Sequence, residues 1–206
     1  MLRLIKCNEM RSRLNVVLIL LIVIILGSCE QNYSPKPRGY FRIDLPQREY
    51  IDFDTTFPYS FNYSNYIRIE QDPYSTNEKY WINLVMKDFN ATLHLSYKVV
   101  DGNLEKYLED SHTLVTKHIP KADAIYDNLV VDRDRNVFGL TYKIVGRGAA
   151  SPYQFFLTDS SSHFLRGALY FNYLPNNDSL QPVIDFVIED IEHIIETLEW
   201  KYKEPR

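Results

Sequence analysis

Five histidines, two cysteines and a run of carboxylates near the C-terminus are the side chains in this 206-residue sequence that could do chemistry. His94, His112, His118, His163 and His193 show no HExxH or related spacing, so no pair is preset on one helix face to hold a metal. His112 and His118 stand six residues apart and would face different sides of a helix. His163 opens a predicted strand beside a serine turn, but there is no GxSxG elbow to present a nucleophile. Gly146-Arg-Gly-Ala-Ala-Ser151 is glycine-rich, yet no Lys-Ser/Thr follows to make a phosphate loop, and the third glycine of a dinucleotide fingerprint is missing. It reads as a flexible connection before Pro152. Scattered carboxylates could form a glycosidase pair only by meeting in three dimensions. Asp185, Glu189, Glu192, Glu196 and Glu199 advance by four, three, four and three, so on a helix they form one acidic stripe. Ile184, Val187, Ile188, Ile191, Ile194, Ile195 and Leu198 occupy the other side. Such a stripe either stands in solvent or receives a basic partner or divalent cations. No oxygen-ligand loop with a glycine turn accompanies it, so calcium is not expected. Nothing in these patterns indicates an enzyme, a metal centre or a dissociable cofactor.

One of the cysteines has a specific context. Met1 to Arg13 carries Arg3, Lys6, Arg11 and Arg13 against a single acid, Glu9, and an unbroken apolar run follows from Val16 to Leu26. Eleven helical residues span roughly 16 Å, about half of a bilayer's hydrocarbon core, which suits a signal-peptide core better than a membrane-spanning helix. The run ends in Leu26-Gly27-Ser28-Cys29, which resembles the lipobox of bacterial lipoproteins. Small residues at Gly27 and Ser28 let a peptidase approach the bond. The Cys29 thiol would take a diacylglycerol through a thioether and become the new N-terminus. The competing reading is an ordinary signal peptide with a coincidental cysteine, but basic start, short apolar run and lipobox occur in order. Residues 1–28 are therefore expected to be cleaved, leaving a covalent lipid on Cys29 as membrane anchor.

The expected mature chain has 178 residues with 19 basic and 26 acidic side chains, a net charge of −7. That is enough for one domain with a proper core. Its charge is poorly suited to nucleic acid, whose binding rests on neutralising phosphates. With Cys7 in the signal and Cys29 lipidated, no disulfide or thiolate metal site is expected. Residues 29–46 read as a tether containing Pro35, Pro37 and Pro46. Lys36, Arg38, Tyr40 and Arg42 within it form either a docking strip for a partner or lipid headgroups, or a solvated linker leading into the fold.

Residues 47–206 read as a single α+β globular domain. Phe57, Tyr59, Phe61 and Tyr63 alternate with polar residues and Pro58, predicting a strand with aromatics on one face. Strands are also predicted at 66–70, 80–86, 91–100, 124–132, 137–145, 153–158 and 163–173. Lys87 to Asn90 turns the first hairpin. Asn103 is placed to cap a helix that Pro120 stops, and a last helix is predicted from Pro182 to about Trp200. This order argues for a mainly antiparallel sheet flanked by helices, and it resembles the PsbP/Mog1-like arrangement.

Two long strings carry a more specific resemblance. Pro35-Lys-Pro-Arg-Gly-Tyr-Phe-Arg-Ile-Asp-Leu-Pro46 is similar to the segment after the lipobox in the gliding-motility lipoprotein GldD family of Bacteroidetes. Ala149-Ala-Ser-Pro-Tyr-Gln-Phe-Phe-Leu-Thr-Asp-Ser160, continuing through His163-Phe-Leu-Arg-Gly-Ala-Leu-Tyr-Phe171, is similar as well. The resemblance implies a non-enzymatic part in gliding motility and in the type IX secretion system that gliding depends on. It implies partners among other gliding lipoproteins and secretion components, and it brings no catalytic residues. It makes Lys36, Arg38, Gly39, Tyr40 and Arg42, and the stretch from Ala149 to Arg166, the expected docking surfaces. Arg166 is the best single candidate, because a charge among Phe164, Leu165, Leu169 and Phe171 needs a carboxylate partner or an interface. Glu30 to Ser34 holds one acid and no acidic cluster, which points to the periplasmic face of the outer membrane. A periplasmic glycan- or small-ligand-binding module is the alternative; a deep pocket lined by tyrosines would favour it.

Overall fold

A computed structural model describes residues 44–75, 77–172 and 177–201. The signal, the lipobox (Leu26, Gly27, Ser28, Cys29) and the basic strip (Lys36, Arg38, Tyr40, Arg42) lie outside the described residues. The elements in chain order are β1 (Tyr50–Phe53), β2 (Tyr59–Ser64), β3 (Arg68–Gln71), β4 (Ile82–Met86), β5 (Ala91–Val99), α1 (Leu104–Thr116), β6 (Ala124–Asp132), β7 (Val137–Val145), β8 (Tyr153–Thr158), β9 (His163–Phe171), α2 (Asn177–Glu196) and β10 (Glu199–Trp200). A seven-stranded sheet runs β3-β4-β5-β9-β8-β7-β6, and a three-stranded sheet runs β1-β2-β10. Every strand pair is antiparallel. The expected α+β class with a mainly antiparallel sheet and flanking helices is what the chain adopts.

Alternation along the strands decides what each face meets. Leu84 and Met86 on β4, Leu93 and Leu95 on β5, Phe155 and Leu157 on β8, and Leu165 and Leu169 on β9 point to one side. They form a single core with Val187, Ile191 and Ile194 of α2 and with Phe53, Tyr59, Phe61 and Trp200 of the small sheet. Each such side chain, fully buried, contributes about 1.5–3 kcal/mol relative to exposure. Gly167 on β9 has no side chain because the Phe155 ring takes that space; a Cβ there would lie 2.3 Å or less from two of its atoms. On the opposite face, Tyr142, Ile144, Phe156 and Phe164 make a smaller core with Val115, Leu104, Tyr107 and Leu108 of α1.

Several expected boundaries shift for identifiable reasons. Strand β1 pairs Tyr50–Phe53 with β2, where no strand was expected. Asn103 sits at the N-cap of α1, but its side-chain oxygen accepts the Asp101 N–H at 3.0 Å and caps no helical donor. The last helix begins at Asn177, with Pro182 inside it, and ends at Glu196 rather than near Trp200. There the Thr197 hydroxyl donates to the His193 carbonyl at 2.7 Å and accepts the Asn62 N–H at 3.0 Å. The chain then turns into β10, so Glu199 leaves the helical stripe. The glycine-rich stretch is pinned: the buried Asn177 amide donates to the Gly146 and Ala149 carbonyls at 2.8 and 3.0 Å.

His163 shows how a titratable group is used as core. Its Nδ1 lies 2.7 Å from the Tyr97 hydroxyl, and its ring stacks on Trp200 with centroids 5.1 Å apart. Burial holds it below the usual imidazole range, with Asp159 acting the other way. His118 is lowered too, chiefly by burial. The unfolded chain therefore binds more protons than the folded one once pH falls below about 6.5, so stability is full above that value and declines on acidification. Urea unfolding followed by tryptophan fluorescence should give a lower midpoint at pH 5 than at pH 7, and His163→Phe should reduce the difference. A midpoint independent of pH over this range would contradict the assignment.

Candidate docking surface

Arg166 lies on β9, on the face opposite α2, directly across from Ser96 of β5 and Phe156 of β8. Its Nη2 donates to the Gln154 carbonyl oxygen at 2.5 Å, and Gln154 Nε2 lies 2.9 Å from His118 Nε2 at the end of α1. The guanidinium is thus answered by a neutral amide. Among the described residues no carboxylate lies within ion-pair distance of it. Burial lowers its pKa from the ordinary value, and only the Tyr170 phenol acts the other way. Burial and then the Arg166 charge hold His118 below the usual imidazole range, so at neutral pH it adds no second charge.

The same face carries further polar groups across the sheet. His94 Nδ1 is 2.7 Å from the Asn83 side-chain oxygen, and its ring meets Tyr170 edge-on at 5.7 Å between centroids. Helix α1 covers the Phe164 end of this face, whereas His94 is exposed and Ser96, Arg166 and Tyr170 are part-exposed. Chemically the strip offers a fixed cation, a phenol and two imidazoles. Most of the stretch from Ala149 to Arg166 faces inward: Ala149, Ser151 and all of Tyr153–Thr158 are buried. What it leaves at this surface is Arg166.

A second polar centre escaped the sequence reading. Asp190 of α2 is buried, and its side chain is fully enclosed. It accepts the Ser64 hydroxyl at 2.7 Å, the Tyr66 hydroxyl, and a longer contact from Tyr50 at 3.5 Å. Arg48 Nε stands 3.0 Å from it, while the same guanidinium pairs with Glu189 at 2.7 Å, donates to the Phe186 carbonyl at 2.8 Å and covers the Phe186 ring at 4.0 Å. Burial, then the Asp190 contact, raises the Tyr66 phenol far above its ordinary range, so it stays a donor. One signal could have revealed this: Asp190 occupies an inward position between Val187 and Ile194, where the helical spacing calls for an apolar residue.

The acidic stripe is partly tied into the fold. Asp185 pairs with Lys143 at 3.0 Å, Glu189 with Arg48, and Glu192 accepts the Tyr153 hydroxyl at 3.4 Å. Glu196 and Glu199 line a cleft of about 460 Å³ with Asp52, Asp54 and Arg135. Phe53 and Phe61 also line that cleft, and among the described residues no tyrosine does. Among the described residues no helix is long and apolar enough to cross a membrane.

Comparison with known proteins adds three findings. The solution structure of cyanobacterial PsbP (CyanoP) from Synechocystis sp. PCC 6803 is similar with a TM-score of 0.45 and 10% identity, over 81% of this chain and 99% of that one. No curated protein matches the sequence. The family model described as gliding motility lipoprotein GldD matches residues 30–200. Its match runs from the residue after Cys29 to Trp200, so the chain belongs to the gliding motility lipoprotein GldD family, a family of membrane-anchored lipoproteins.

Proposed function

We propose that the chain is a non-enzymatic assembly or stabilising component of the gliding and type IX secretion machinery, held by lipid on Cys29 and facing the periplasm from the outer membrane. Family membership supports the link to motility, and the single acid in Glu30 to Ser34 supports the orientation. The observation that carries the docking role is Arg166: a half-buried guanidinium on an incompletely covered sheet face, bonded to Gln154 rather than to a carboxylate. A partner that brings an acidic side chain to this face completes the pairing, as charge-assisted hydrogen bonds do at interfaces. Lys36, Arg38, Tyr40 and Arg42 form a second contact strip in this reading.

The test is a mild crosslink and affinity purification of the tagged chain from its own membranes. Gliding or type IX secretion proteins should be recovered with the native chain. Arg166→Ala should lower that recovery about tenfold or more, as truncating one partner of a buried charge pair does, with the amount of chain unchanged. Recovery of the chain alone would shift the reading to a glycan- or small-ligand-binding lipoprotein.

A further inference from the structure

The two edges of the seven-stranded sheet are built differently. At one end β3 is four residues long and carries Arg68 and Glu70, the short and charged edge that discourages pairing. At the other end β6 runs nine residues, Ala124–Asp132, with neither proline nor lysine, and Asp127 is the only charge between Ala124 and Val131. Tyr126 is 59% exposed, Leu129 74% and Val131 50%. Among the described residues β7 is the only strand that pairs with it.

Hydrogen-bond parity shows which groups β6 leaves open. The Ile144 N–H bonds the Pro152 carbonyl at 2.9 Å, so even-numbered residues of β7 face β8 and odd-numbered ones face β6. Asn128 lies opposite Thr141 and Ala124 opposite Val145, so the even-numbered residues of β6 are those bonded to β7. The N–H and C=O groups of Ile125, Asp127, Leu129 and Val131 therefore point away from the sheet. These four side chains also share one face, with Leu140 and Phe138 beside them on β7.

We infer that β6 pairs with β6 of a second copy of this chain, antiparallel about a two-fold axis at Asn128, joining the two sheets edge to edge. In that register Ile125 stands opposite Val131, Tyr126 opposite Val130 and Asp127 opposite Leu129, and just beyond the strand ends Arg133 comes level with Asp123, whose N–H bonds the Val145 carbonyl at 2.7 Å, so that this last pair meets by side chains alone. The outward residues meet outward residues, so both ladders close. Arg133 and Asp123 are exposed and make no ion pair among the described residues; the two-fold axis supplies each with one opposite charge, two such pairs per dimer. Neighbouring registers are poorer. Centring on Asp127 sets two aspartates face to face, which is destabilising, and centring on Leu129 sets Arg133 against Ile125. Closed two-fold pairing of one surface patch is the commonest form of homo-oligomer.

The parity argument also fixes a test. Asn128 faces its own copy at a non-hydrogen-bonded position, where Cα atoms lie about 4.5 Å apart, within disulfide range. Asn128→Cys in the full chain, oxidised in its native membranes, should give a covalent dimer of twice the mass containing only this chain. Leu129→Cys and Gln71→Cys should give far less, and the unsubstituted chain controls for Cys7 and Cys29. Arg133→Glu should abolish the Asn128→Cys crosslink, and adding Asp123→Arg should restore it. Absence of the dimer, equal crosslinking along the strand, or capture of a different protein at Asn128→Cys would each overturn the inference.

Discussion

Arg48→Ala is expected to cost about 3–5 kcal/mol of folding stability, because it leaves a buried charge without its counter-ion. Asp190 is fully enclosed, and with Arg48 gone the Ser64, Tyr66 and Tyr50 hydroxyls are what would face it among the described residues. The same substitution uncovers the Phe186 ring and removes the side-chain donor to the Phe186 carbonyl. Asp190→Ala should be comparably damaging. Because the two residues act as a pair, the double variant should lose clearly less than the sum of the singles, by about 1 kcal/mol or more. Urea unfolding of the four chains gives the cycle; an Arg48→Ala unfolding free energy within about 0.5 kcal/mol of the native value would show that the pair is not a structural centre.

The second large effect concerns Cys29. Cys29→Ala is expected to abolish incorporation of a labelled fatty acid, release the chain from lipid-dependent membrane retention, and reduce gliding to the level seen without the protein. Two or three acyl chains anchor a protein stably whereas one is marginal, so nothing graded is expected. Cys7→Ala should be silent in the same assays, since it lies in the segment expected to be removed. Label persisting in the Cys29→Ala chain would reject the lipidation site outright.

Much of the fold was legible because its determinants are local. Strands β6, β7 and β8 begin and end where alternation and polar turns place them: Asp132 bonds Arg135 across one turn, and Asp159 accepts the N–H groups of Ser161, Ser162 and His163 in the other. Where a local pattern continued past a tertiary event, the reading failed. The spacing of Ile191, Ile194, Ile195 and Leu198 carries a helix onward, but pairing of Trp200 with Tyr59 draws the chain into β10. Strand β1 was missed because Tyr50, Ile51 and Asp52 are exposed and show no alternation of their own; only pairing with β2 makes them a strand.

The candidate site divides along the same line. By itself the sequence determined the acidic balance, the strand and helix periods and the resemblance now shown by the family match, it raised the expectation of an export signal and a lipidated Cys29, and it singled out Arg166. Tertiary structure alone decided that Arg166 meets Gln154, which in turn meets His118, that Asp190 gathers Arg48 and Tyr66, and that among the described residues β6 is paired on one side only. The reason is separation along the chain. The Tyr50–Asp190 contact spans 140 residues and the Arg48–Phe186 bond spans 138. A periodic pattern reports which side of its own element a residue occupies, and only the packing of distant elements reports what waits on that side.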